Sequence, residues 1–175
     1  YIHEVAGSYK SAADYPRTAF ARGLKTIAGL ILSGLETSVY YISLGSFDTH
    51  VRQEGQLERH FNTLNDGLES FIKELKANGK FEDVMIMSFS EFGRRVEQNA
   101  SGGTDHGTAN NMFFISGSLK QQGLLNPLPD LTDLDNGDLK YTVDFKSVYA
   151  TLLNKWLQAD DRAILGDKYD YLKFI

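Results

Sequence analysis

The sequence is defined first by what it lacks. It contains no cysteine, which excludes disulfides, thiolate nucleophiles and cysteine metal ligands and leaves the cellular compartment open. No apolar run approaches the ~20 residues that cross a bilayer, and no signal peptide is recognisable. The net charge is -5 and no basic stripe is present, which argues against nucleic acid as a partner. The glycine patterns of serine hydrolases, phosphate loops and dinucleotide sites are also absent.

What remains is the composition of a folded protein. The 175 residues are 42% hydrophobic and 23% charged, enough for one domain with a buried core. We interpret 1–175 as a single domain with an entry segment at 1–15. Because the chain starts with Tyr1 instead of Met, we expect it to be a processed or truncated product.

Helical and strand-like segments alternate along the chain. Apolar residues recur at helical spacing over 16–31, 53–77 and 145–157, with Gly34, Asn78–Gly79 and Asp144 as boundary signals. Strand-like segments lie at 37–44 (TSVYYISL), 84–89 (VMIMSF) and 112–115 (MFFI). Asp135 to Asp138 predicts a hairpin turn. This order predicts an α/β fold with a largely parallel sheet.

Polar, potentially metal-binding side chains follow each predicted strand. They are Asp48 and His50, then Glu91 and Arg94, then Asp105 and His106. In a parallel sheet the loops at the strand ends meet at one edge, where ligands bind. Mixed carboxylate and imidazole ligands suit zinc, manganese or a related divalent ion. We therefore predict a metal site, with Asp105 or His106 alone as ligand and the other as its supporting partner.

Each of these residues also has an ordinary structural interpretation. Asp48 can cap a turn, Asp105 can accept backbone N–H bonds, and Glu91 can pair with Arg94 or Arg95. His60 borders the apolar stripe of its helix, so packing explains it better than metal binding. A calcium loop at Asp130, Asp133, Asp135 and Asp138 is a weaker alternative, because the remaining ligands are missing and a solvated turn explains these residues.

Four segments together resemble one family. They are 43–50 (SLGSFDTH), 90–94 (SEFGR), 102–110 (GGTDHGTAN) and 144–151 (DFKSVYAT). The chain from about residue 15 to 175 resembles the bacterial domain-of-unknown-function 1501 family (DUF1501), which is related to alkaline phosphatases and sulfatases. The resemblance implies a three-layer α/β/α, alkaline-phosphatase-like fold that is incomplete at its N-terminus. It also implies a periplasmic or extracellular protein.

The resemblance assigns roles to the same residues. It implies that Asp48 and His50 form a metal-ligand pair, that Glu91 stands where the superfamily has an Asp ligand, and that His106 is a later, lone ligand. Phe92 replaces the histidine expected after that acid, which departs from a complete two-metal site. The nucleophile is expected upstream of Tyr1.

Two functional hypotheses follow. In the first, Asp48, His50, Glu91 and His106 bind a divalent ion (zinc, manganese, magnesium or calcium) for hydrolysis of a small phosphate or sulfate ester. Arg94 then steadies the anionic group and Asp105 orients His106. In the second, the exported protein is not catalytic, and the metal or an ion-pair cluster is structural. A surface-binding module based on Tyr169 and Tyr171 is a third, less supported hypothesis.

Overall fold

The computed structural model describes residues 9–175. Residues 1–8 of the predicted entry segment lie outside the described residues. The chain divides into two compact units. The first unit comprises the described residues up to Val84 together with the later segment Asn99–Gly103. The second unit comprises Met85–Gln98 and Thr104–Ile175.

Two helices build the first unit. Helix α1 spans Ala19–Leu32 and helix α2 spans Gln53–Ala77. The Thr18 side chain caps α1 by accepting from the Ala21 N–H, so the helix begins three residues after Pro16. The predicted ends at Gly34 and Asn78–Gly79 are confirmed, since both glycines follow the last helical turn with positive φ.

The apolar stripes of these helices form the core of the first unit. Phe20 and Leu24 of α1 and Phe71 and Leu75 of α2 are buried, and the two helices pack against each other. The stripe of α2 is buried only toward its C-terminal end, because Phe61 remains 49% exposed.

Short antiparallel pairs form the strands of the second unit. Strand β1 (Ile86–Ser88) pairs with β4 (Phe113–Ile115), and β2 (Gly93–Gln98) pairs with β3 (Thr104–Gly107). Strand β5 (Leu134–Asp135) pairs with β6 (Asp138–Leu139). The last pair confirms the predicted hairpin turn, with Asn136 and Gly137 at positive φ.

The C-terminal part of the second unit is helical. Helix α3 (Phe145–Thr151) is capped by Asp144, as predicted, and continues into a π-helix at Leu152–Trp156. Helix α4 spans Asp161–Leu165. The tail then returns to the strands of this unit, where the Phe174 ring lies 4.6 Å from the Phe114 ring.

The prediction of a three-layer α/β/α fold with a largely parallel sheet is wrong. The sheets of the described residues are two-stranded and antiparallel. A parallel return from β1 to β4 needs a long crossover, usually through a helix. The intervening residues 89–112 instead contain the β2–β3 hairpin, so β4 runs back against β1.

The predicted strand at 37–44 also has a different structure. These residues form neither helix nor strand. Exposure alternates along them, and Val39 and Tyr41 are 66% and 75% exposed. The two-sided burial that we inferred from apolar residues on both faces is therefore absent. No helix in the described part of the chain combines the length and apolarity needed to cross a membrane.

Candidate metal centre

Asp48 and His50 lie on the same side of their segment. The intervening Thr49 is buried at 2% exposure, and its N–H donates to the Phe47 carbonyl at 2.9 Å. This bond closes a tight turn centred on Asp48. His50 Nδ1 lies 3.1 Å from Asp48 Oδ1, so the pair proposed from the sequence is in contact.

The tip of the β2–β3 hairpin supports the backbone of this pair. The side-chain Nδ2 of Asn99 donates to the His50 carbonyl at 3.0 Å. Two backbone hydrogen bonds continue the contact, from Arg52 N to Ser101 O (3.0 Å) and from Gln53 N to Gly102 O (2.9 Å). Residues 50–53 are thus fixed at the start of α2 by three hydrogen bonds.

Gly103 makes this contact possible by close approach. A Cβ atom at this position would lie 2.3 Å from the His50 carbonyl carbon and 2.4 Å from its oxygen. These are backbone atoms, which cannot move aside as a flexible side chain can. Glycine is therefore required here by space, since its backbone can approach another backbone closely.

His106 lies in strand β3 of the second unit. Its Cα pairs with that of Arg94 across the two strands. The His106 imidazole stacks on the Phe92 ring, with centroids 4.0 Å apart and planes 10° apart. The Arg94 guanidinium carbon lies 5.2 Å from the centre of the same Phe92 ring, a cation–π distance.

Hydrogen bonds fix the residues around His106. The Phe92 carbonyl accepts from Ser90 Oγ at 2.9 Å and from Asn110 Nδ2 at 3.0 Å. One guanidinium N–H of Arg94 donates to the Thr104 carbonyl at 2.7 Å. The stacked Phe92 ring therefore restricts how the imidazole can turn.

Asp48, His50 and His106 each offer an atom that could bind a metal ion. Asp48 and His50 belong to the first unit, where they are already in contact. His106 belongs to strand β3 of the second unit.

This set of donors fits a divalent transition metal. Two imidazoles and one carboxylate occur in catalytic zinc sites, which keep a further position open for water or substrate. Asp48 has two roles open to it. It can bind the ion directly, or it can hold His50 Nδ1 by a hydrogen bond and leave Nε2 for the ion.

The comparison with known families agrees with the sequence motifs. A family model described as "Protein of unknown function (DUF1501)" matches residues 3–163. The chain belongs to the DUF1501 family. No curated protein and no solved structure matches it.

The remaining predicted site residues of this DUF1501 chain are Glu91, Arg94 and Asp105. Glu91 is exposed, and its role as metal ligand remains a prediction. Asp105 precedes His106 in β3, and neighbouring strand residues face opposite ways. Its predicted role in orienting His106, and the predicted anion-binding role of Arg94, are likewise untested.

The acidic run of the DUF1501 chain is engaged in other contacts. Lys140 Nζ bonds to Asp133 Oδ1, and Arg95 Nε lies 3.6 Å from Asp138 Oδ1. Asp130 accepts from the Thr132 N–H and hydroxyl, and these hydrogen bonds lower the pKa of its carboxyl. The structure thus supports a solvated turn at these residues better than a calcium loop.

Two residues that support the candidate site, Asn99 and Phe92, were not predicted to do so from the sequence. The sequence signal for Asn99 is the turn-forming composition of the run 99–103 (NASGG). Phe92 was noted only as a departure from the family pattern. Its stacking on His106 depends on strand register, which only the structure supplies.

Proposed function

We propose that this protein binds one divalent cation through Asp48, His50 and His106. The single observation that carries the proposal is the Asp48–His50 pair, in which a carboxylate oxygen and an imidazole nitrogen lie 3.1 Å apart. His106 is the third ligand that the family resemblance implies. Zinc and manganese fit the mixed donor set best.

Local order supports the same proposal. The His50 backbone is held by the Asn99 side chain, and the His106 ring is stacked on Phe92. Ligands that are already oriented lose less conformational freedom when an ion binds. Both features are what a binding site requires, whereas an exposed histidine on a mobile surface would have neither.

The activity we propose for this centre is hydrolysis of a phosphate or sulfate ester. A bound cation would polarise an ester oxygen and lower the pKa of a nucleophile. Arg94 would hold the anionic group, since a guanidinium binds such oxygens with two parallel hydrogen bonds. The proposal includes the periplasmic or extracellular location that the family resemblance implies.

A non-catalytic role for the same centre is the second candidate. The observation that favours it is the Phe92 ring, which covers one face of the His106 imidazole at the sequence position where a further histidine was expected. A centre with fewer ligands suits a single structural ion. In that case a bound cation stabilises the protein and no ester is turned over.

Cation binding is tested by calorimetry on metal-stripped protein. We expect zinc or manganese to bind with one-to-one stoichiometry. His50→Ala and His106→Ala should each weaken binding about tenfold or more, because each removes a direct ligand. His60→Ala is the matched control: its ring packs 5.1 Å from Phe47, and it should bind as the wild type does.

Three results would contradict the proposal. These are no binding by the wild type, wild-type affinity in His106→Ala, or an equal loss in His60→Ala. Aryl phosphate and aryl sulfate esters, assayed with and without the cation, then separate the two functions. Cation-dependent turnover that Arg94→Ala reduces supports hydrolysis, and cation binding without turnover supports the structural role.

A further inference from the structure

The loop 99–103 is closed by one side chain. Asn99 Oδ1 accepts hydrogen bonds from the backbone N–H of Ser101 at 2.9 Å and of Gly103 at 3.1 Å. The Asn99 N–H also donates to the Gly103 carbonyl at 2.8 Å. Such side-chain-to-backbone bonds are how asparagine stabilises tight loops. The loop therefore keeps its shape through Asn99.

The other end of the same amide reaches the candidate metal centre. Because Oδ1 faces two N–H donors, the amide nitrogen must point the other way, and there it donates to the His50 carbonyl at 3.0 Å. One planar group thus joins the loop to the backbone of a proposed ligand.

We propose that Asn99 is a positioning residue for the Asp48–His50 pair. Its amide holds the His50 carbonyl, and with it the backbone from which both side chains project. Partners behind a metal ligand typically change metal affinity 10–100-fold when they are removed. The inference rests on the proposed cation-binding function for its effect on affinity, but its structural part does not.

Close packing beside Asn99 supports this assignment. Gly103 lies against the His50 carbonyl with no room for a Cβ atom. Two further hydrogen bonds fix Arg52 and Gln53 to Ser101 and Gly102. A displaced loop would therefore release residues 50–53 together.

Asn99→Asp removes the hydrogen bond that the amide nitrogen donates and keeps the oxygen that accepts. The aspartate keeps an oxygen for the Ser101 and Gly103 N–H groups, so the loop can still close. It replaces the donor to His50 with an oxygen that repels the carbonyl. Asn62→Asp, at an exposed position of α2, is the control because it makes the same change of charge.

We expect Asn99→Asp to weaken zinc binding about tenfold, measured by calorimetry on the full chain. Charge alone predicts the opposite sign, since an added carboxylate attracts a cation. Asn62→Asp should bind zinc as the wild type does. Wild-type or tighter zinc binding in Asn99→Asp, in a wild type that does bind zinc, would overturn the inference and leave the proposed function standing.

A second measurement needs no metal. Amide hydrogen exchange of Arg52 and Gln53, followed by NMR, should accelerate at least tenfold in Asn99→Asp and stay unchanged in Asn62→Asp. If the wild type binds no cation, the proposed function fails and this measurement still decides whether Asn99 holds the segment. Unchanged exchange would overturn the inference in either case.

Discussion

At the scale of single residues, Glu74 is the carboxylate with the most demanding surroundings in the first unit. It is 2% exposed and accepts hydrogen bonds from neutral groups. They are Tyr9 Oη at 3.0 Å, Ser11 Oγ at 2.9 Å and the Ala12 N–H at 3.2 Å. A buried carboxylate is tolerated only when its oxygens are satisfied in this way. Glu74 therefore fixes residues 9–12 to α2.

Glu74→Ala should be strongly destabilising. It leaves three donors without their acceptor, and we expect a loss of about 3 kcal/mol in the free energy of unfolding. Glu69→Ala is the control on the same helix, since Glu69 makes an exposed ion pair with Lys73 worth about 0–1 kcal/mol. Urea unfolding of both variants checks this, and equal losses would contradict it.

Tyr15 makes the free energy of unfolding depend on pH in the alkaline range. Burial, and then the neighbouring Glu74 carboxylate, raise the pKa of its hydroxyl well above the ordinary value. The unfolded chain releases this proton above about pH 10, its ordinary pKa, while the folded chain retains it. Tyr15 therefore contributes stability that is complete below pH 10 and is lost as the pH rises further.

Tyr15→Phe removes the ionisable group and keeps the ring. We expect its free energy of unfolding to fall less steeply than that of the wild type between about pH 9.5 and 11. Urea titrations across this range measure the slope, and Tyr141→Phe, at an exposed position, is the control. Parallel slopes for the wild type and Tyr15→Phe would show that Tyr15 does not carry the effect.

Residue-level prediction worked where the reason was local. Asp48 and His50 lie in contact, as their spacing led us to expect, although a tight turn at Asp48 and not an extended strand brings them together. Local spacing could not reveal the role of Asn99, because the contact between Asn99 and His50 joins residues 49 apart in sequence. We expected His106 to join this pair at one edge of a parallel sheet. The described sheets are antiparallel pairs, so the joining of His106 with the pair stays a prediction.

At the scale of elements, α2 shows that an apolar stripe in the sequence need not be buried along its whole length. Leu75 is 0% exposed, while Phe61 in the same predicted stripe is 49% exposed. Leu75→Ala should cost about 2–5 kcal/mol in unfolding free energy through lost burial and the cavity that remains. Phe61→Ala should cost clearly less, because its ring already contacts water. Urea unfolding checks the order, and a reversed order would contradict it.

The helices and the tight β5–β6 hairpin were predictable from the sequence, whereas the pairing of distant strands was not, for a physical reason. The period of 3.6 residues is written in the sequence, so α2 and its end at Asn78 follow from local pattern and capping. Strand pairing is decided between distant segments. The run at 84–89 gave only the three residues of β1, and its partner β4 runs antiparallel, which no local pattern specifies.

At the scale of the whole molecule, each unit has its own packed interior. The helices α1 and α2 bury Leu24 and Leu75 in the first unit, and Val148 and Phe174 are buried in the second. The three proposed ligands contribute little to these interiors, since Asp48 and His106 are exposed. A bound cation would therefore add stability that the apolar cores do not supply.

Cation binding should stabilise the folded protein by mass action. An ion that binds only the folded chain adds about 2.7 kcal/mol to the unfolding free energy at one hundred times its dissociation constant. We expect zinc to produce this gain in urea unfolding and EDTA to remove it. His60→Ala should retain the gain, and His106→Ala, at the same zinc concentration, should lose most of it. An equal gain in His106→Ala would mean that zinc acts elsewhere on the surface, because a centre lacking one of its three ligands cannot hold the ion with unchanged affinity.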